Sequence, residues 1–273
     1  MLDKAAVTEY VKLVIEDEVE RGTDDQFLCD SDLNTLLVDD KSSLKPRETI
    51  VGYPTYPLYR EIGNMLYQWL ENKECPVVDL PKYDLLDEKV YVESRTATFA
   101  TITPLLDGMT SLWDHWGEEE RKYRIRYILT LLGKRGILDL LGIRKTVGTK
   151  EILPCSRKVL EDCFAAKHSP NSSSQLSVGA RALAKHSHRD MSTSWWGVCT
   201  GTEEAKNEHA LKIMNKILDN ATWLNTHWLP QDIIILEARH NEGYGARWTA
   251  DGSSFRGFLE PQMEGGHDAG WKH

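Results

Sequence analysis

Five cysteines in 273 residues, Cys29, Cys75, Cys155, Cys163 and Cys199, form no C-x-x-C pair and make an odd count. Disulfide frameworks and structural zinc sites need paired, closely spaced ligands, so the pattern argues against both and reads as reduced thiols. The chain lacks a G-x-x-x-x-G-K-[ST] loop, a dinucleotide glycine fingerprint and a G-x-S-x-G elbow, which removes three large enzyme classes. His188-Arg189-Asp190 matches the letters of the kinase catalytic loop, but the glycine-rich loop and D-F-G are missing, so that class is rejected. The longest apolar runs, such as 233–236, are far too short to cross a bilayer. The first twenty residues have no basic segment followed by an apolar stretch, so no secretory signal is expected. A Lys/Arg-dense stripe is absent as well. With 33 basic against 42 acidic residues and a net charge of −9, duplex nucleic acid is not an expected partner. These absences describe a soluble, cytoplasmic protein (nuclear is the alternative) without a membrane partner.

What is present, 41% hydrophobic and 27% charged residues, is ordinary for a globular chain with a real core. Helical spacing of apolar residues predicts helices over 3–20, 56–72, 103–113, 118–132, 137–142, 155–167, 176–187 and 206–221. Gly133 and Gly136 mark a break, residues 21–52 read as a loop or linker, and 75–98 as short extended pieces. After Pro230 the period changes. DIIILEARH is rich in β-branched residues, and Asp251-Gly252 is a turn signal, so three short strands are expected over 232–260, the last two a hairpin. The fold class expected is α+β, mainly helical with a small C-terminal antiparallel sheet. A boundary near residue 140 would separate a helical region, 1–140, from 141–273, a helical core with the hairpin and a docked tail; a single domain is the alternative. That tail keeps Phe255, Phe258 and Trp271, more aromatic than disordered tails usually are, and Arg256, Glu260, His267 and Trp271 are its candidate contacts.

The chemistry-bearing residues concentrate in 185–248. RDMSTSWWGV places two tryptophans before a glycine, and KNEHALKIM opens a helix with Lys206-Asn207. In order, LGIRK, RKVLEDCFAAKH, LSVGARAL, RDMSTSWWGV and KNEHALKIM resemble the C-terminal half of the YbiA-like (NADAR) N-glycosidases. Ala166-Lys167-His168 stands at that family's helix-ending element, Asp190, Trp196 and Gly197 at its D…W-G element, and Asn207 at its helix-opening asparagine. His168, Cys199 and Lys206 depart from the family pattern, and the upstream element carrying the family's carboxylate is missing. The resemblance implies hydrolysis of a ribosyl or ADP-ribosyl N-glycosidic bond, without metal or other cofactor, in a cleft for a small ribonucleotide-like ligand. Trp196 would stack on a base and Asn207 would orient it. Lys206, Lys185 and Arg189 would attract phosphate, and Asp190 or Glu237 would be the catalytic carboxylate. The structural alternative has Trp196 filling a core and Asn207 capping a helix. Trp195 is assigned to the core.

Two further groups stand apart from that resemblance. Lys185-His186-Ser187-His188-Arg189-Asp190 contains an H-x-H pair that could bind metal with His209, His227 or His240 if extended, but its helix-end setting favours a polar cluster. Glu237 and Arg239 share one face of a strand, and Tyr244 and Arg247 follow closely, with Arg247 able to pair with a carboxylate or phosphate. A structural ion pair holding the hairpin is the competing reading. At the level of the whole chain, the alternative to an N-glycosidase is a non-catalytic interaction protein whose aromatic groove receives a protein partner.

Overall fold

A computed structural model describes residues 1–22, 25–42, 44–83, 88–187, 194–229 and 233–261. Its described elements are helices α1 (Lys4–Arg21), α2 (Asp30–Leu37), α3 (Leu58–Asn72), α4 (Lys89–Leu112), α5 (Glu118–Leu140), α6 (Arg157–Ala165), α7 (Val178–His186) and α8 (Glu203–Asp219). Strands β1 (Ala221–Leu229), β2 (Ile233–His240), β3 (Gly245–Thr249) and β4 (Phe255–Leu259) form an antiparallel meander in sequence order. The mainly helical α+β class with a C-terminal antiparallel sheet is what forms. No helix among the described residues is long and apolar enough to cross a membrane.

Local chemistry explains most of the helix ends. Asp3 caps α1 by accepting from the Ala6 amide at 2.8 Å, and Thr202 caps α8 at Ala205. Leu58, Ile62, Met65, Leu66 and Trp69 give α3 one fully buried stripe, which packs on α1. The stretch 118–140, labelled α5 throughout, is two helical segments meeting at the expected break, Gly133, whose φ of 54° only glycine adopts easily. Buried apolar side chains form one contiguous cluster from Val7 to Phe258.

Four expectations need correction. Residues 75–98 do not form extended pieces. After a 3-10 turn at Pro76–Asp79, α4 begins at Lys89 and runs through Pro104. Its threonines suggest strands, but Phe99, Ile102, Leu106 and Met109 recur at helical spacing and are buried. Thr96 and Thr103 return their hydroxyls to the carbonyls four residues back. Residues 21–52 are not simply a linker, since they hold α2 and the buried Arg47, whose guanidinium pairs with Glu61 at 3.2 Å and reaches the carbonyls of Ile50 and Leu141. The last helix stops at Asp219, because the segment after Asn220 is β1, giving four strands where three are expected. Finally, Phe255 and Phe258 are buried parts of β4, whereas His267 and Trp271 lie outside the described residues.

The sheet does not end at β1. Residues 143–150 lie along the outer edge of that strand, with Ile143 bridged to Leu224 and Thr149 to His227. The amides of Arg144 and Lys150 each donate at 2.7 Å to carbonyls of β1, those of Leu224 and Thr226.

Candidate functional site

Strand alternation gives the sheet two unlike faces. Leu224, Leu236, Ala238, Ala246, Trp248 and Phe258 are buried on one face, against which α6, α7 and α8 pack. On the other, register aligns Asn225, Glu237, Arg247 and Gly257 in a row across all four strands. His227 and Arg239 sit one pleat to either side of that row.

Glu237 is its centre and is 2% exposed. Oε1 accepts from Arg239 Nε, and Oε2 accepts from Arg247 Nε at 2.7 Å and faces His227 Nε2 at 3.4 Å. Burial alone would raise this carboxyl. The hydrogen bond with His227 and the two guanidiniums outweigh it and hold the group well below its ordinary value of 4.5. Glu237 is therefore a fixed anion rather than a proton donor at neutral pH, which revises the acid role considered for it.

The partners of Glu237 differ in what else they do. Arg239 is buried and also donates to the carbonyls of Gly243 at 2.7 Å and Glu260 at 3.0 Å, so it clamps the β2–β3 turn to the end of β4. Arg247 keeps 19% exposure, and only its Nε is hydrogen-bonded among the described residues. Opposite it, Gly257 carries no side chain, and a Cβ there would meet nothing within 4 Å. His227 retains 21% exposure, and its Nδ1 lies 3.2 Å from the Trp228 carbonyl. Both ring nitrogens thus face oxygen acceptors. Beyond the row, Asn225 bonds Thr149 Oγ1 at 3.0 Å and Thr146 Oγ1 at 3.1 Å, fixing the edge segment. Trp228, on the reverse face of β1, is 46% exposed with Lys150 Nζ 4.3 Å above its ring.

The expected site residues are distributed between several places. Glu237 and Arg247 come together as described. Trp196 is 1% exposed, packs on Phe258, and its Nε1 donates to both oxygens of Glu260 at 3.0 and 3.1 Å. Trp195, assigned to the core, is the half-buried indole, stacked on Tyr244 at 4.4 Å with Lys216 Nζ 3.9 Å from its ring centre. Tyr244 is itself buried. Asn207 joins α8 to the loop before α7, accepting from the Ser177 amide and donating to the Gln175 carbonyl, both at 2.8 Å. Lys206 lies half-buried in the first turns of α8, which opens at Glu203, and Lys185 is exposed on α7. Arg189, Asp190 and His188 lie outside the described residues. His186 pairs with Glu260 at 2.9 Å and His209 Nε2 lies 2.8 Å from the Trp196 carbonyl, so each is engaged structurally. No group of three or more metal-ligating side chains occurs among the described residues. Sequence reasoning finds His227 only as a metal candidate. It misses the companion Asn225, because β1 carries no recognisable strand signal.

Comparison with known proteins bears on this same segment. Residues 166–260 match the family model of the CdiA C-terminal tRNase toxin domain. The match runs from the end of α6 through β4, just over a third of the chain, and contains all four strands and the polar row. No curated protein and no solved structure matches the chain. The match overturns the YbiA-like (NADAR) resemblance, and with it the N-glycosidase reading, the nucleotide-binding reading and the small nucleotide-like ligand. The letters behind that resemblance have local explanations: Trp196 fills a core, and Asn207 ties a loop to a helix. The scaffold alternative gains nothing from the match, which is to a family described as a nuclease.

Proposed function

We propose that this chain is a ribonuclease acting on tRNA, with the polar face of the sheet as its active site. The observation that carries the reading is the coincidence of two things within 166–260: the match to a tRNase toxin domain, and a His227–Glu237–Arg247 constellation anchored on buried Glu237, with His227 and Arg247 partly exposed. Cleavage of an RNA strand by its own 2′-hydroxyl forms an O2′–P bond and breaks the P–O5′ bond. The 2′-hydroxyl gives up a proton, the departing 5′-oxygen takes one, and negative charge builds on the phosphoryl oxygens. With Nε2 held by Glu237, His227 turns Nδ1 from the Trp228 carbonyl and gives its proton to the departing 5′-oxygen, while the 2′-hydroxyl proton passes to water. The free terminal groups of Arg247 hold the phosphoryl oxygens as a planar fork. Glu237 touches no substrate in this scheme; it orients both partners from beneath. An overall charge of −9 does not oppose this role, because Arg247 keeps a partly exposed positive charge on this face.

The test is incubation of purified protein with tRNA, followed by analysis of the new ends. Fragments with 2′,3′-cyclic phosphate and 5′-hydroxyl ends are expected. His227→Ala should slow cleavage by about 10²–10⁴-fold, and Arg247→Gln by about 10²–10³-fold. Intact tRNA at excess folded protein, or full activity in His227→Ala, would sink the proposal.

A further inference from the structure

Away from the sheet, α4 and α5 enclose a cleft of about 160 Å³. Its wall includes Tyr91, Ser94, Arg95, Thr98, Arg135 and Lys145. Arg135 is incompletely bonded there. Its Nη2 donates to Asp139 Oδ1 at 3.1 Å and to the Ile143 carbonyl, but Nε and Nη1 are buried and have no hydrogen-bond partner among the described residues. Oε1 of Glu151 is 3.9 Å from Nη1, too far for a hydrogen bond, and is already taken by Lys145 at 2.7 Å. A buried donor left unpaired is costly, so these two N–H groups call for acceptors from outside the chain.

Charge points to the kind of acceptor. Glu88 is neutralised by Arg144. Arg95, Arg135 and Lys145 then stand against Asp139 and Glu151, one positive charge in excess. An oxyanion supplies both the missing charge and several acceptor atoms, and the hydroxyls of Ser94 and Thr98 stand on the same wall. The cleft is also close to the polar face. Residues 143–150 have the cleft on one side, through Lys145, and the sheet on the other, through Thr149 beside His227. Thr149 lies four residues beyond Lys145, a span of no more than roughly 14 Å even when extended.

We infer that the α4–α5 cleft is a second phosphate subsite, in which Arg135, helped by Lys145 and Arg95, grips a backbone phosphate of the RNA a few nucleotides from the scissile bond. This rests on the tRNA-cleaving reading, and the experiment separates the two. Binding of tRNA to the His227→Ala protein is measured from about 50 to 200 mM salt, a range over which phosphate contacts dominate the affinity. Arg135→Gln and Lys145→Gln, each on that background, should bind more weakly and flatten the log K against log salt slope by about 0.7–0.9. Lys12→Gln on α1, which removes a surface charge paired with Glu16, should leave the slope alone. Lys145 is a surface side chain, so its variant is informative even if Arg135→Gln does not fold. An unchanged slope in both variants, with tRNA bound, overturns the subsite while leaving the cleavage reading intact. If tRNA is neither bound nor cleaved, the cleavage reading fails, and inorganic phosphate decides the cleft. A thermal shift with phosphate that is lost in Arg135→Gln and Lys145→Gln supports the oxyanion site, and no shift overturns it.

Discussion

Replacing Glu237 by Gln tests the centre of the polar row. The substitution preserves shape but removes an anion that faces two guanidiniums and an imidazole and is 2% exposed. Arg239 then remains buried without its counter-charge, and losing one member of a buried pair costs about 3 kcal/mol or more. With a urea slope of roughly 3 kcal/mol per molar for a chain of this size, the midpoint should fall by about 1 M. The pH dependence has a definite sign. Because the folded carboxyl is held below its ordinary 4.5, its contribution is complete above that pH and shrinks as pH falls beneath it. The loss is about 1.4 kcal/mol per pH unit until the folded group itself protonates. The native protein should therefore lose its lead over Glu237→Gln in acid. Urea titrations of both proteins between about pH 7 and pH 3 measure this, with circular dichroism following the fold. A midpoint difference below about 0.3 M at neutral pH, or a gap that stays constant into acid, would refute the view of Glu237 as a stabilising fixed anion.

Other substitutions separate structure from chemistry. Asn207→Ala removes two 2.8 Å hydrogen bonds between α8 and the 175–177 loop and should cost about 1–3 kcal/mol, read as a lowered melting temperature. The two indoles should differ: Trp196→Ala empties a buried core position and should cost about 3–5 kcal/mol, whereas Trp195→Ala should cost clearly less in the same denaturation assay. Gly245→Ala would place a methyl 2.4 Å from the Ala238 carbonyl oxygen and 2.8 Å from Arg239 Cγ, pushing Arg239 off Glu237. A loss of about 1–3 kcal/mol, together with reduced tRNA cleavage, is expected.

The sheet is legible in the sequence where its local chemistry is loud. The β-branched run before Glu237 announces β2, and Asp251-Gly252 announces the β3–β4 hairpin. β1 is hidden because TWLNTHWL comes after α8 with little more than Asn220 between them and is buried along most of its length, so neither a break nor an alternation marks it. The site divides in the same way. Glu237 and Arg247 can be paired from strand periodicity. His227 cannot be placed beside them, because that depends on the β1–β2 register, a long-range property carried by pairs such as Thr226 with Leu236. The roles of the indoles fail for a similar reason: the groups that bury Trp196 are Phe258 and Glu260, about sixty residues downstream. Short letter patterns such as W-G, or Asn near a helix start, mislead because core filling and loop tethering use the same residues that ligand sites do.

Residues 143–150 also say something about how this chain can be cut. The stretch that resembles the toxin domain begins at residue 166, yet the outer edge of its sheet is closed by residues that come earlier. A fragment beginning at 166 would leave the Leu224 and Thr226 carbonyls without the amides of Arg144 and Lys150, and would strip the buried Trp223 of the Arg144 guanidinium 5.0 Å from its ring. An unpaired strand edge is a template for other strands, so such a fragment should self-associate where the full chain does not. The unit that resembles a family and the unit whose sheet edge is closed are, in this molecule, different lengths of the same polypeptide.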